Sequence, residues 1–124
     1  MKLWIDDVRP APYGYVWCMS VNVAKMFIEG NEDIVRYAHE QLTELSVGSD
    51  VYLQMKEIAK ISTIEIIDID HDAGDYASDG GDYIKLLDWL EETGRNYPIH
   101  IHSQNVVGVQ NMRAIIKRNG WVEV

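Results

Sequence analysis

Three short apolar segments of the chain end directly in polar or charged side chains. Lys2–Val8 (KLWIDDV) runs into two aspartates, Thr63–Asp70 (TIEIIDID) ends in a third, and Pro98–Ser103 (PIHIHS) ends in a histidine and a serine. Apolar, β-branched segments of this length are typical of buried strands in a parallel sheet. Because the carboxyl ends of parallel strands meet at one edge of the sheet, these polar residues are expected to lie together.

Two further apolar segments, Tyr15–Met19 and Trp121–Val124, bring the number of predicted strands to five. Amphipathic stretches separate most of the strands: Ser20 is expected to cap a helix that ends at Gly30, and two more helices follow on either side of Gly48. Helices that connect parallel strands form right-handed crossovers. The pattern therefore predicts an α/β three-layer sandwich with a five-stranded parallel sheet of receiver or flavodoxin-like order 2-1-3-4-5.

The length of the chain, 124 residues, fits a single domain spanning residues 1–124. No apolar run approaches the ~20 residues that a membrane span needs. Two aspartates stand where a signal peptide would be apolar, and a single cysteine, Cys18, excludes an internal disulfide. We therefore expect a cytoplasmic location and no membrane partner.

The charge of the chain limits its partners. Eleven Lys and Arg residues stand against twenty acids, which gives a formal net charge of −9. Because proteins bind nucleic-acid backbones mainly through Lys and Arg, a broad nucleic-acid surface is not expected. A phosphate-bearing partner is expected to be small, such as a nucleotide, and to be met locally by a metal or a few cations. Assembly of the chain into a homo-oligomer stays open.

The aspartates that end the first and third strands are candidate metal ligands. Asp6, Asp7 and Asp70 would repel one another at one sheet edge unless a cation is present. Hard divalent ions prefer carboxylate oxygens, so Mg²⁺, or alternatively Mn²⁺, is the expected cofactor. The alternative is that Asp6 or Asp7 only caps a turn before Pro10.

The predicted catalytic residues are Asp70, His71 and His102. His71 directly follows the acidic end of the third strand, and His102 lies near the end of the fourth. Two histidines near a cation could divide the acid and base roles of phosphodiester cleavage. Alternation along the strand places His100 on the same side as His102. We interpret His100 as a hydrogen-bonded residue of the fold, and the same interpretation is the alternative for His71 and His102.

A polar segment after the fourth strand is a candidate anion site. It precedes a predicted helix, whose N-terminal N–H groups favour phosphate, although the chain contains no Walker loop. Two arginines could meet the phosphate, or could simply be exposed to solvent. The predicted ligand-binding residues are Arg9, Ser103, Gln104, Asn105 and Arg113.

Three blocks of sequence, LWIDDVRP, DIDHDAG and IHSQN, resemble in this order the cyclic-phosphate-processing receiver domain family, a divergent branch of the response-regulator receivers. The resemblance implies that Asp6 and Asp7 hold Mg²⁺, that Asp70 matches the phosphoacceptor of ordinary receivers, and that Ser103 ends the fourth strand. It implies processing of cyclic phosphate ends or cyclic nucleotides, with additional histidines such as His71, and it links the chain to nucleotide-signal conflict between phages and hosts.

Two features depart from the family pattern. The lysine that ordinary receivers carry after the fifth strand is missing, since the chain ends WVEV. The segment 31–62 is longer than the corresponding connection, and we interpret it as a helical insertion between strands 2 and 3. The insertion could form a ligand lid, a dimer surface or simple padding.

The favoured function is a metal-assisted phosphoesterase that acts on cyclic phosphodiesters, either cyclic nucleotides or 2′,3′-cyclic phosphate ends. The first alternative is a non-catalytic binder, or sponge, that sequesters a cyclic nucleotide or a nucleotide-derived signal as a phage anti-defence protein would. The second alternative is a phosphoacceptor receiver, which the missing lysine disfavours.

Overall fold

The computed structural model describes all 124 residues. Its strands are β1 (Lys2–Ile5), β2 (Tyr15–Cys18), β3 (Ile66–Ile69) and β4 (Ile99–Ile101). Its helices are α1 (Val21–Leu42), α2 (Asp50–Ser62), α3 (Ile84–Glu92) and α4 (Val106–Asn119), with a short 3-10 helix at Gly74–Ser78. None of the helices is both long and apolar enough to cross a membrane.

The four strands form one parallel sheet in the order β2-β1-β3-β4. This confirms a receiver-like α/β fold, but the predicted fifth strand at Trp121–Val124 is wrong. The tail lies beside β4 and pairs with it through a single bridge between Ile99 and Glu123. The carbonyl of Val124 accepts a hydrogen bond from Nδ1 of His100 at 2.7 Å. This carbonyl is therefore bonded to a side chain of β4 and not to its backbone.

One face of the sheet, the core face, carries the hydrophobic core. Alternate strand residues point to this face, and helices α1, α3 and α4 bury their apolar sides against it. Each fully buried aliphatic side chain contributes about 1.5–3 kcal/mol to folding. The fully buried strand residues of the core face are Leu3, Ile5, Cys18, Ile67, Ile69 and Ile99.

The opposite face, which we call the open face, has no helical layer, so the predicted three-layer sandwich is wrong. None of its strand residues belongs to the core: Lys2, Trp4, Tyr15, Trp17, Ile66, Asp68 and His100. The connections from β2 to β3 and from β3 to β4 both move across the sheet in the same direction. Because such crossovers are right-handed, connections that move in the same direction place their helices on the same face. Only the β1–β2 connection runs the other way, and residues 6–14 contain two prolines and form no helix.

The helical region between β2 and β3 differs from the prediction in one respect. Ser20 caps α1 as predicted, but the helix continues through Gly30, so this predicted helix end is wrong. Buried residues on both sides of Gly30, from Ile28 to Ala38, keep the helix facing its neighbours. Their burial outweighs the ~0.5–1 kcal/mol that glycine costs inside a helix. Residues 31–62 form the second half of α1 and then α2. That this segment is an insertion relative to the family pattern stays a prediction.

Candidate functional site

The three predicted metal ligands meet at the carboxyl ends of β1 and β3. Asp6 and Asp7 directly follow β1, and Asp70 directly follows β3. The parallel register pairs Ile5 with Ile69, so the residues after both strands lie at the same height of the sheet. One carboxylate oxygen from each aspartate lies within 4.8 Å of the other two.

Asp6 is fully buried and held by three hydrogen bonds. Its Oδ1 accepts from the backbone N–H groups of Val8 and Arg9 at 2.9 and 2.8 Å, and its Oδ2 accepts from Nε2 of His102 at 2.8 Å. Burial by itself would raise the pKa of Asp6, but these donors together hold it below the ordinary value. Asp6 therefore stays a carboxylate with a fixed orientation, and it also caps the turn before Pro10.

Asp7 has the opposite electrostatic environment. Burial, followed by the nearby charges of Asp6, Asp70 and Asp72, raises its pKa. Its carboxylate lies against the backbone of Gly74, where a Cβ atom would collide with it. The cluster therefore has an excess of negative charge that a cation would relieve.

His102 is enclosed between two carboxylates on the open face. Its Nδ1 lies 2.5 Å from Oδ1 of Asp68, and its Nε2 lies 2.8 Å from Oδ2 of Asp6. The ring of Trp4 stacks on the imidazole with centroids 3.8 Å apart and planes 4° apart. Burial would lower the pKa of His102, but Asp68 and Asp6 raise it above the ordinary value. Both ring nitrogens of His102 therefore face carboxylate oxygens, an arrangement that favours the charged form with two N–H donors.

Neither Asp68 nor Trp4 was identified as a site residue from the sequence. The register places Trp4, Asp68 and His100 side by side on β1, β3 and β4. His102 lies two residues beyond His100 and hence on the same face, as the alternation predicts. The signal was an aspartate inside an otherwise apolar strand, because a buried aspartate is almost never unpaired.

His71 lies at the N-terminus of α4 and is hydrogen-bonded on one side only. Its Nδ1 is 2.8 Å from Oδ1 of Asp72, and the amide of Asn105 donates to both oxygens of Asp72 at 3.3 Å. The ring rests on Gly108, where a Cβ atom would overlap it. The bond from His71, and then that from Asn105, lowers the pKa of Asp72. A carboxylate on Nδ1 fixes the proton there, so the neutral ring has an acceptor at Nε2.

Four of the predicted ligand-binding residues lie around the N-terminus of α4 and a cavity beside it. Asn105 caps α4 by accepting from the N–H of Gly108, and Ser103 accepts from the N–H of Asn105. Ser103 also lines a polar cavity of about 320 Å³ together with Gln104 and Arg113.

The two arginines differ in their relation to the acidic cluster. The Nη1 of Arg9 lies 3.4 Å from the carbonyl of His102, which places Arg9 beside the cluster. Arg113 contacts none of the three clustered aspartates, and its Nε is 3.0 Å from Glu123. Arg9 is therefore the cation nearer to the candidate metal site.

Comparison with known families identifies a family to which the chain is similar. The model of a family described as cyclic-phosphate processing receiver domain matches residues 1–118. The match runs from β1 into the last turn of α4 and includes the acidic cluster and both histidine environments. Comparison with curated proteins and with solved structures finds no match.

Proposed function

Because the chain belongs to the family of cyclic-phosphate processing receiver domains, we propose that it is a metal-assisted phosphoesterase acting on a cyclic phosphodiester. The substrate would be a cyclic nucleotide or a 2′,3′-cyclic phosphate end. One observation carries the proposal: three carboxylates lie within 4.8 Å of one another, and the next residue after Asp70 is a histidine with an unpartnered nitrogen.

The acidic cluster fits a hard divalent cation. Asp6, Asp7 and Asp70 offer only oxygen ligands, and the raised pKa of Asp7 reflects burial together with the negative charge of the neighbouring aspartates. Mg²⁺ or Mn²⁺ held by these residues would polarise the phosphoryl group and neutralise its charge.

His71 is the favoured proton-transfer group. With its Nδ1–H donated to Asp72, Nε2 can take a proton from the attacking water as the new P–O bond forms. The ring P–O bond of the substrate then breaks, and the same proton can pass to the leaving oxygen. Asp72 stabilises the imidazolium in between. General acid–base catalysis of this kind contributes roughly 10²–10⁴ in rate.

His102 is better placed to orient Asp6 than to move protons. Proton transfer would require it to leave Asp6 or Asp68, and Trp4 covers its ring. The sequence-based role of His102 as a second acid–base group stays an untested prediction. The role that we propose is that His102 holds Oδ2 of Asp6, much as outer-shell partners orient the ligands of metal sites.

The phosphate would be bound beside the cluster by side chains of two connections. Arg9 follows β1 and is exposed, so its guanidinium can turn toward an anion. Ser103 and Asn105 follow β4 at the N-terminus of α4, where helix N–H groups and the helix dipole favour negative charge. Gln104 and Arg113 line the adjacent cavity and would contact a more distant part of the ligand.

One observation favours the non-catalytic binder as a second candidate. Both nitrogens of His102 are occupied, which leaves only His71 for proton transfer. A site with one such group could hold a cyclic phosphodiester without cleaving it.

The two candidates are separated by incubating the protein with cyclic nucleotides and 2′,3′-cyclic phosphates, with Mg²⁺, Mn²⁺ or EDTA, followed by mass spectrometry before and after heating. We expect a linear, metal-dependent product that Asp70→Asn abolishes. Asp33→Asn, which changes an exposed carboxylate on α1, is the matched control. Release of an intact ligand on heating would identify a binder, and absence of both product and bound ligand would contradict both functions.

A further inference from the structure

Three aromatic side chains lie together on the open face of the sheet. Trp4 on β1 and Trp17 on β2 are paired in register. Two residues earlier on each strand, and therefore on the same face, Lys2 pairs with Tyr15. The rings of Trp4 and Tyr15 meet edge to face, with centroids 6.0 Å apart. We call Trp4, Tyr15 and Trp17 the aromatic surface. All three are half-buried, and none belongs to the hydrophobic core or to the apolar side chains packed against it.

The aromatic surface is continuous with the acidic cluster. The indole N–H of Trp17 donates to the carbonyl of Asp6 at 2.8 Å, and the indole N–H of Trp4 donates to the carbonyl of Arg9 at the same distance. Trp4 also stacks on His102, which is bonded to Asp6. A molecule whose phosphate lies at the cluster can therefore extend over the aromatic rings.

The charges around the aromatic surface suit an anionic ligand. Lys2 is exposed, and its Nζ lies 5.6 Å from the centre of the Tyr15 ring. Arg9 borders the other end of the surface, and the carboxylate of Asp68 is hydrogen-bonded to His102. A second copy of this chain would bring a further net charge of −9 to the same face, which opposes self-association.

From these observations we propose that the aromatic surface receives the base of the substrate, so that the substrate class is a nucleotide and not a base-free cyclic phosphate. The inference rests on the proposed function, because it takes the phosphate to lie at the acidic cluster. Aromatic rings bind any nucleobase through its π-face, so stacking here supplies affinity with little base preference.

The test compares two ligands that share the cyclic phosphate and differ in the base. Calorimetry with Mn²⁺ would measure Kd for adenosine 2′,3′-cyclic phosphate and for 1-O-methylribose 2,3-cyclic phosphate. We expect the nucleotide to bind at least about fivefold more tightly, which corresponds to the lower end of the ~1–3 kcal/mol that one stacked base contributes. Equal Kd values would overturn the inference and leave the phosphoesterase intact. Base-dependent binding without hydrolysis would contradict only the phosphoesterase.

A variant locates the effect on the open face. Tyr15→Leu removes a ring whose hydroxyl makes no hydrogen bond in the protein, and we expect it to lower nucleotide affinity toward that of the base-free compound. Tyr37→Leu, which removes an exposed tyrosine on α1, should leave both Kd values unchanged. Unchanged nucleotide affinity in Tyr15→Leu would overturn the inference. So would a wild-type dimer, detected by sedimentation, that Tyr15→Leu dissociates.

Discussion

The two histidine environments differ although each histidine lies beside carboxylates near a strand end. The side chains of His102 and His71 are similarly buried, at 10 % and 15 % exposed, but His102 is hydrogen-bonded through both nitrogens and stacked against Trp4. His71 is hydrogen-bonded through Nδ1 alone. Neighbouring acids therefore do not by themselves identify a proton-transfer residue. What differs is the number of ring nitrogens without a protein partner, none in His102 and one in His71, and the proposed division into a positioning histidine and a catalytic one rests on this difference.

The largest expected effect is on turnover in His71→Asn. Asparagine can still donate to Asp72 but cannot accept a proton from water, so kcat should fall by roughly 10²–10⁴ while the fold is kept. The measurement is kcat in Mg²⁺ with circular dichroism as a check on folding. His39→Asn on the exposed side of α1 is the matched control. A wild-type kcat in His71→Asn would transfer the proton-transfer role to another group and remove the distinction between the two histidines.

His102→Ala should act mainly on stability. It leaves Asp6 and Asp68, which are 0 % and 7 % exposed, without their shared cation, and removing one partner of a buried ionic group costs about 3 kcal/mol. Urea denaturation in EDTA would measure the loss. The matched control is His100→Ala on the same strand and face, which loses only the bond to Val124 and should cost about 1 kcal/mol. Equal losses would show that the two carboxylates do not hold His102.

The contact between Asp6 and His102 also predicts how the stability of the protein varies with pH. The pKa of Asp6 is lowered on folding, so its contribution is present above the ordinary value of about 4 and is lost as the pH falls through the folded pKa. The pKa of His102 is raised, so its contribution is present below about 6.5 and is lost as the pH rises through the folded pKa. In EDTA, the free energy of unfolding should therefore decline on both sides of this window.

The control for this profile is His102→Gln, which keeps a side-chain donor but cannot be charged. Its unfolding free energy should be lower at pH 5 and should lack the decline on the alkaline side. The alkaline decline in the wild type should be smaller than the full loss in His102→Ala. An identical alkaline slope in both proteins would assign the decline to another group.

The strand order and the meeting of Asp6, Asp7 and Asp70 could be predicted from the sequence, because parallel strands fix which ends become neighbours. The number of layers was predicted wrongly, since it depends on the single connection at residues 6–14. A helix there would have covered the open face. Pro10 and Pro12 had indicated only that the first strand ends, not that its crossover lacks a helix.

The partners of His102 could not be predicted for a different reason. Asp68 precedes it by 34 positions, and their contact depends on two strands being neighbours with both side chains on the same face. Alternation placed His100 and His102 together, but it does not reveal which acids face them. Gly30 shows a related limit, because a local helix-ending signal was outweighed by burial on both sides.

The smallest expected effect comes from Gly108→Ala, which tests how closely His71 must be held. A Cβ at this position would overlap the imidazole, so the ring must shift away from α4 and its bond to Asp72 must distort. Small displacements of a reacting group lower turnover strongly, and we expect kcat to fall about tenfold. The matched control is Gly30→Ala, where a Cβ meets no atom within 4 Å.

In Gly30→Ala the helix should gain about 0.5–1 kcal/mol of stability without a change in kcat. Gly108 also lies in the first turn of α4, so alanine there gains some of the same helix propensity, and the stability of the Gly108→Ala variant should change little. A loss of turnover without a loss of stability in Gly108→Ala, and an effect dominated by lost stability in His102→Ala, would separate the two histidines by experiment. If Gly108→Ala kept the wild-type kcat, the contact between His71 and α4 would be packing alone, and Asp72 would suffice to orient the base.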